Sequence, residues 1–212
     1  NMFNNRLSLT TDFYIRDTKG ILGKGKSLPS IYGASEPQMN ANNLRTKGYE
    51  LVLGWRDSFK LAGSTFSYGI TGTFSDYTAE YTKCDNPTGL IGDPYVGKKY
   101  GEIWGYKVDG LFRNDKEAAE YASRIDLSTV ASGYYTATGA YGKGVRGVDI
   151  KYLVLNGDII VNGGKGTLDD PGDRRVIGNS SPRYQYGVSM NFSWYGFDVS
   201  VFMQGIGRLD WY

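Results

Sequence analysis

The sequence predicts an all-β chain: an antiparallel transmembrane β-barrel segment of about five long strands, with one long loop that contains a short helix. Three observations carry this. Apolar and polar residues alternate with period two over runs of about 8 to 16 residues, longer than the usual strand of about 5 to 6. A strand that crosses a bilayer at a tilt needs about 9 to 11. The polar side of each run is built from Gly, Ser, Thr and Asn with few charges, as a wet barrel lumen requires. The connections alternate long, short, long, short, the habit of barrels with long outer loops and tight inner turns.

Taken in order, Arg6 to Arg16 sets Leu7, Leu9, Thr11, Phe13 and Ile15 against Ser8, Thr10, Asp12, Tyr14 and Arg16. Tyr49 to Phe59 sets Tyr49, Leu51, Leu53 and Trp55 against Glu50, Val52, Gly54 and Arg56. Phe66 to Tyr81 continues with Phe66, Tyr68, Ile70, Gly72 and Phe74 on one parity. Tyr184 to Trp194 gives Tyr184, Tyr186, Val188, Met190, Phe192 and Trp194, and Phe197 to Gln204 gives Phe197, Val199, Val201 and Met203. The apolar parities are expected to face lipid and the Ser/Thr/Gly parities the lumen. The extracellular loops are expected at about 17–47 and 82–183. Trp55, Phe59, Phe66, Trp194 and Phe197 then form an aromatic girdle near the short turns. A soluble antiparallel sandwich also alternates, but strand length and loop lengths speak against it.

Composition narrows the chemistry. Among 212 residues there are 30 Gly and 18 Tyr, 15% aromatics, no His and one Cys. Without histidine, Ser-His-Asp and Cys-His catalysis and HExxH zinc sites are excluded. Cys84 alone makes no internal disulfide and no cysteine cage. The formal charge of +2 is scattered, so there is no basic stripe for nucleic acid. No apolar run reaches the 18 residues that mark a membrane helix, and Asn1 to Asn5 lacks the pattern of a signal peptide. GKGK at Gly23 to Lys26 and GGKG at Gly163 to Gly166 do not have Walker A spacing.

The stretch from Thr82 to Arg183 is too long to be structureless. Asn114 or Asp115 can cap a helix over Lys116 to Arg124, with Glu117 in its first turn. Asp149 to Leu155 is strand-like, and Asn156-Gly157-Asp158 and Asp169 to Asp173 are turns. Tyr95, Tyr100, Trp104 and Tyr106 form an aromatic series, and Tyr100, Trp104 and Tyr106 are the candidate ligand contacts, since aromatic faces suit sugars or peptides. Packing within the loop is the competing reading. The oxygen-rich set Asp149, Asn156, Asp158, Asp169, Asp170 and Asp173 lacks the spacing of a calcium loop, so no metal and no cofactor is assigned. An open loop on a barrel does not exclude water, and no carboxylate pair is singled out for hydrolysis; the chain is read as no enzyme.

The stretch Asp149 to Gly205 resembles the SusC/RagA family of TonB-dependent outer-membrane transporters. Asp173-Arg174, Ile177-Gly178, Pro182, Tyr184, Tyr186-Gly187, Gly196-Phe197-Asp198 and Gln204-Gly205 fill the positions of its motifs. Tyr100-Gly101 and Trp104-Gly105-Tyr106 through Gly110-Leu111-Phe112 are similar to its YG-rich element, and Thr46 to Leu51 to one of its strand starts. Val148-Asp149 and Leu155 to Ile159 depart from the family pattern. The resemblance implies import across the outer membrane of a Gram-negative cell. A glycan or peptide is taken up beneath a SusD-like lipoprotein lid, with energy from TonB and a plug in the barrel. The expected partners are therefore that lipoprotein, TonB, the ligand and outer-membrane lipid, with no nucleic acid. The plug and the TonB-contacting region are expected N-terminal to Asn1, so residues 1–212 are expected to be one part of a barrel domain. A 22-strand barrel at about ten residues per strand needs roughly 220 strand residues; five strands do not close. A siderophore or cobalamin receptor and a soluble glycan-binding β domain are the alternatives.

Overall fold

The computed structural model describes residues 2–24, 33, 37–130 and 145–211. The main sheet is antiparallel and five-stranded. It contains β1 (Leu7–Lys24), β2 (Gln38–Leu61), β3 (Ser64–Lys83), β8 (Arg183–Trp194) and β9 (Phe197–Arg208), in the order β1-β2-β3-β8-β9. It is open, with β1 and β9 at its edges. Between β3 and β8 come β4 (Glu102–Tyr106), β5 (Val108–Leu111), α1 (Asp115–Ala122), β6 (Ile150–Tyr152) and β7 (Arg174–Asn179). There β4 pairs with β7, and β5 with β6.

Residues opposed in a ladder share a face, so the register tests the parity reading. It joins Leu9, Leu53, Gly72, Val188 and Met203 in one row, and Leu7, Trp55, Ile70, Met190 and Val201 in the next. All five apolar parities therefore lie on one face. That face is not a packed core: Leu53 remains 47% exposed and Phe13 83%. The stretch from Tyr184 to Trp194 in β8, at about 3.3 Å per residue and a tilt of about 40°, rises about 25 Å, the height of a lipid-facing band.

Aromatic rings bracket this band at both ends. Near the tight turns Phe59 meets Phe66 at 5.3 Å, and Phe66 meets Phe192 at 6.3 Å. At the far end Phe13, Tyr49, Phe74 and Tyr184 follow one another across four strands at 6.0–6.4 Å. This second row went unread in the sequence. The tight turns are also tied together. Trp194 Nε1 donates to the Leu61 carbonyl at 3.3 Å, and the Tyr195 hydroxyl donates to that of Ala62.

The strands outrun their expected limits. The β1–β2 ladder continues through Asp17↔Arg45 to Lys24↔Gln38, with register shifts around Ile21. Most of the stretch expected as a loop at 17–47 is thus paired strand, while Gly25, Lys26 and several of their neighbours lie outside the described residues. The cause is physical. Beyond the band apolar residues such as Ile21, Leu22, Met39 and Leu44 are scattered among polar ones without regular alternation, while backbone pairing goes on. Arg45 holds Asp17 with two bonds of 2.7 and 3.0 Å across this extension. Likewise β9 runs on to Arg208, past Gly205.

Contacts divide the chain into two compact units. One holds the sheet with residues 96–101. The other comprises Asp85–Tyr95 and Glu102–Gly178. The second has its own core of Phe112, Ala118, Leu127 and Val161, against which Tyr106, Tyr121 and Tyr152 pack. In it α1 begins as its sequence demands: Asn114 Oδ1 accepts from the Glu117 amide at 2.9 Å, and Glu117 reaches back to the Arg113 amide at 2.9 Å. The cap satisfies donors that a helix start leaves open. The strand-like run Asp149 to Leu155 shortens to Ile150–Tyr152.

Candidate functional site

The polar parities form the second face of the sheet. Its rows read Asp12, Glu50, Ser75, Gln185 and Ile206, then Thr10, Val52, Thr73, Gly187 and Gln204, then Ser8, Gly54, Thr71, Ser189 and Phe202. Asp12 and Glu50 stand directly opposite one another and both are exposed; like charges persist so close only where water screens them. Tyr14 lies over Gly48, where a Cβ would come within 2.5 Å of its ring, so the ring covers the one place on that row without a side chain. Two concavities indent this face. One of about 850 Å³ is lined by Arg6, Arg56, Asn191, Asp198 and Ser200 near the tight turns. The other, of about 540 Å³, is lined by Thr73, Ser75, Gln185, Phe202 and Gln204.

The three aromatic residues singled out in the sequence fall in different settings. Tyr100 belongs to the sheet unit; Trp104 and Tyr106 belong to the other. Tyr100 sits where the chain passes between units, its amide donating to the Ala79 carbonyl at 2.8 Å. Its own carbonyl accepts from Asn179 Nδ2 and Ser181 Oγ, each at 3.0 Å, while its side chain is 55% exposed. Trp104 donates through Nε1 to Glu102 Oε1 at 2.8 Å, and the Tyr95 hydroxyl donates to the same oxygen. Burial first, and then the Glu102 carboxylate, push the Tyr95 phenol up to about 12. Tyr106 meets Tyr152 edge-on at 5.9 Å against the core of its unit.

Sequence reasoning missed the role of Asp173. It is fully buried, and its carboxylate accepts from the amides of Leu155 at 2.6 Å, Asn156 at 3.2 Å and Asn162 at 2.9 Å. It thereby closes the loop between β6 and β7 onto its own return. In the sequence it reads as one more turn carboxylate, since its partners lie 11 to 18 positions away. Next to it, Arg174 Nη2 donates to the Gly163 carbonyl at 2.7 Å. Asn156 and Asp158 spend their oxygens on their own turn, accepting from the amides of Asp158 at 3.1 Å and Ile160 at 2.7 Å. Among the described residues, no group of three or more Cys, Asp or Glu is disposed to hold a metal. Lys151 reaches Asp109 at 3.1 Å and Glu117 at 3.7 Å, and Asp109 raises its pKa.

No protein-family model matches the chain. Two curated relatives do: TonB-dependent receptor P39 of Formosa agariphila is 26% identical over 94% of this chain and 20% of its own length. TonB-dependent receptor P3 of the same organism is 23% identical over 96% of this chain and 19% of its own. Among solved structures, the RagAB peptide importer in its closed-closed state superposes with a TM-score of 0.57 at 18% identity, covering 96% of this chain and 19% of that one. The RagAB peptide transporter gives 0.55 at 17%, covering 95% and 19%. The chain thus spans about a fifth of the proteins it matches. The antiparallel sheet has the fold of part of such a transporter's barrel, and the resemblance to TonB-dependent transporters drawn from the motifs stands. The named relatives are receptors and a peptide importer.

Proposed function

We propose that the chain forms part of the barrel wall of a SusC-like, TonB-dependent importer in the outer membrane, which takes up glycans or peptides and catalyses no reaction. The observation that carries this is the two-faced sheet. One face is apolar across all five strands and closed off by aromatic rows at both ends, and the other is polar and concave. A soluble glycan-binding domain would have to hide that apolar face in water, and a bilayer hides it without further structure. A SusD-like lipoprotein covers the outer mouth in this reading, and TonB engages a part of the protein outside residues 1–212. Tyr100 and Trp104 serve as ligand contacts, each from its own unit, and Tyr106 packs on the core of the loop unit. The test is made on the full-length protein in its own cells. It fractionates with the outer membrane, its mobility in detergent gels changes on boiling, and uptake of its ligand stops when TonB is deleted. Recovery in the aqueous phase without detergent would sink the reading.

A further inference from the structure

We infer that Asn156 is a self-modification site, where attack by the Gly157 nitrogen and then by water converts the side-chain amide to a carboxylate. The inference stands apart from the importer reading, which gives the Asn156-Gly157-Asp158 turn no task. The chain has two Asn-Gly pairs, at 156–157 and 162–163. Both asparagines donate their backbone amides to the Asp173 carboxylate, at 3.2 and 2.9 Å. They share a dipeptide and an anchor, and differ in whether the backbone can reach the side chain.

At Asn156 the path is open. Asn156 and Gly157 are exposed, and nothing lies within 4 Å of the place a Gly157 Cβ would take. Among the described residues, neither the Asn156 carbonyl nor the Gly157 amide makes a hydrogen bond, so this peptide unit turns without breaking one. Glycine also removes the side chain that would crowd the attack. The Asp158 amide donates to Asn156 Oδ1 at 3.1 Å. Negative charge builds on that oxygen as the ring closes, and a donor placed there stabilises the transition state. At Asn162 a like donor is present, the Gly164 amide at 2.7 Å, but the path is shut. Asn162 is half-buried, and its carbonyl accepts from the Asp173 amide at 2.9 Å. The Gly163 carbonyl accepts from Arg174 Nη2 at 2.7 Å and from the Gly166 amide at 3.0 Å. The Arg174 guanidinium also covers Gly163, with Nη2 2.6 Å from the Cβ position. That peptide unit is pinned on both sides.

The chemistry balances with water alone. The Gly157 nitrogen bonds to Asn156 Cγ and gives up its proton. The bond from Cγ to Nδ2 breaks, and Nδ2 takes a proton and departs as ammonia, leaving a five-membered succinimide. Water opens that ring at either carbonyl, giving aspartate or an isoaspartate link. The new carboxylate faces Asp158 Oδ2, to which Nδ2 had donated at 2.7 Å, and repulsion between like charges opens the turn. The isoaspartate form also lengthens the backbone between Asn156 and Asn162, a span that Asp173 fixes at both ends.

The test needs no variant. Full-length protein in detergent is incubated at mildly alkaline pH in heavy-oxygen water and digested in ordinary water, so that only conversion during the incubation carries the label. Trypsin, cutting after Lys151 and Lys165, releases one peptide that holds both asparagines, and fragment masses place the label. Label should accumulate at position 156 at least about tenfold faster than at 162, a barrier gap of about 1.4 kcal/mol. In protein unfolded by denaturant the two positions should convert at similar rates. A smaller contrast in the folded protein overturns the inference, as does absence of label at 156 over a period in which the unfolded protein converts. A contrast that persists undiminished in denaturant overturns it too, because flanking sequence rather than the fold would then set it. None of these results touches TonB-dependent uptake or membrane location, on which the importer reading stands or falls.

Discussion

In the unit made of Asp85–Tyr95 and Glu102–Gly178, Ile91, Phe112, Ala118, Leu127 and Val161 are buried. In the sheet unit Ala79 is the one buried hydrophobic among the described residues. The first unit is an ordinary small fold, closed on a core and pinned by Asp173. The second spreads its apolar side chains over one face, which in the proposed reading meets lipid. The two units should therefore fail under different insults, and five substitutions in the full-length protein test that difference.

The largest effect is expected from D173A. It strands three buried amides at about 1–3 kcal/mol each, so the loop unit should open with a loss on the order of 5 kcal/mol. Limited proteolysis should then cut within 102–178 while the boiled and unboiled barrel bands keep their separation. If the barrel band is lost as well, the units are not independent. Next comes L53R, on the apolar face. A charge in mid-membrane costs about 2–4 kcal/mol, so refolding into lipid vesicles should be weakened by that amount, whereas T71K on the opposite face should cost little. Equal costs on the two faces would contradict the assignment of lipid and lumen.

A smaller effect, about 1 kcal/mol, is expected for N114A, which removes the cap of α1. Amide exchange in 115–122 should quicken while the sheet is unaffected. The smallest concerns Tyr95. Its phenol ionises near 12 in the folded chain against about 10 when unfolded. The associated stability is whole below pH 10 and is lost as pH rises through 12. In the phenolate absorbance titration, Y95F should delete one late-ionising tyrosine; loss of one that titrates near 10 would contradict the Glu102 contact.

Period two made the sheet legible, because a one-residue slip would turn Leu51, Leu53 and Val188 to the wrong side, and lipid makes that contrast sharp. Where the regular alternation ends, the contrast ends, so the ladder from Asp17 to Lys24 could not be read from side chains. The second aromatic row was readable in principle. Phe13, Tyr49, Phe74 and Tyr184 share the apolar parity of their strands, and Tyr49 and Tyr184 open the alternating runs whose other ends carry Phe59 and Trp194. The role of Asp173 was not readable, although the residue stood out in a motif, because it is a meeting with Leu155, Asn156 and Asn162 that exists only after folding. Tyr106 shows the same limit: sequence spacing put it beside Trp104, and its ring turns to the core of the loop unit.

The chain crosses from the sheet unit into the loop unit at Gly101. The Ser180 amide donates to the Gly101 carbonyl at 2.8 Å, and Asn179 and Ser181 hold Tyr100. Gly101 has φ of 79°, and a Cβ there would strike Ser181 Oγ at 2.6 Å, so a glycine is needed at the crossing. The chain leaves the sheet unit after Cys84 and again after Gly101, and its final return at Asn179 is made through a narrow clasp of that unit's own residues. Asp85–Tyr95 and Glu102–Gly178 together are in that sense a cassette. Evolution, or an engineer, can exchange it for another of different length and surface chemistry without redrawing the wall, provided that the clasp is kept.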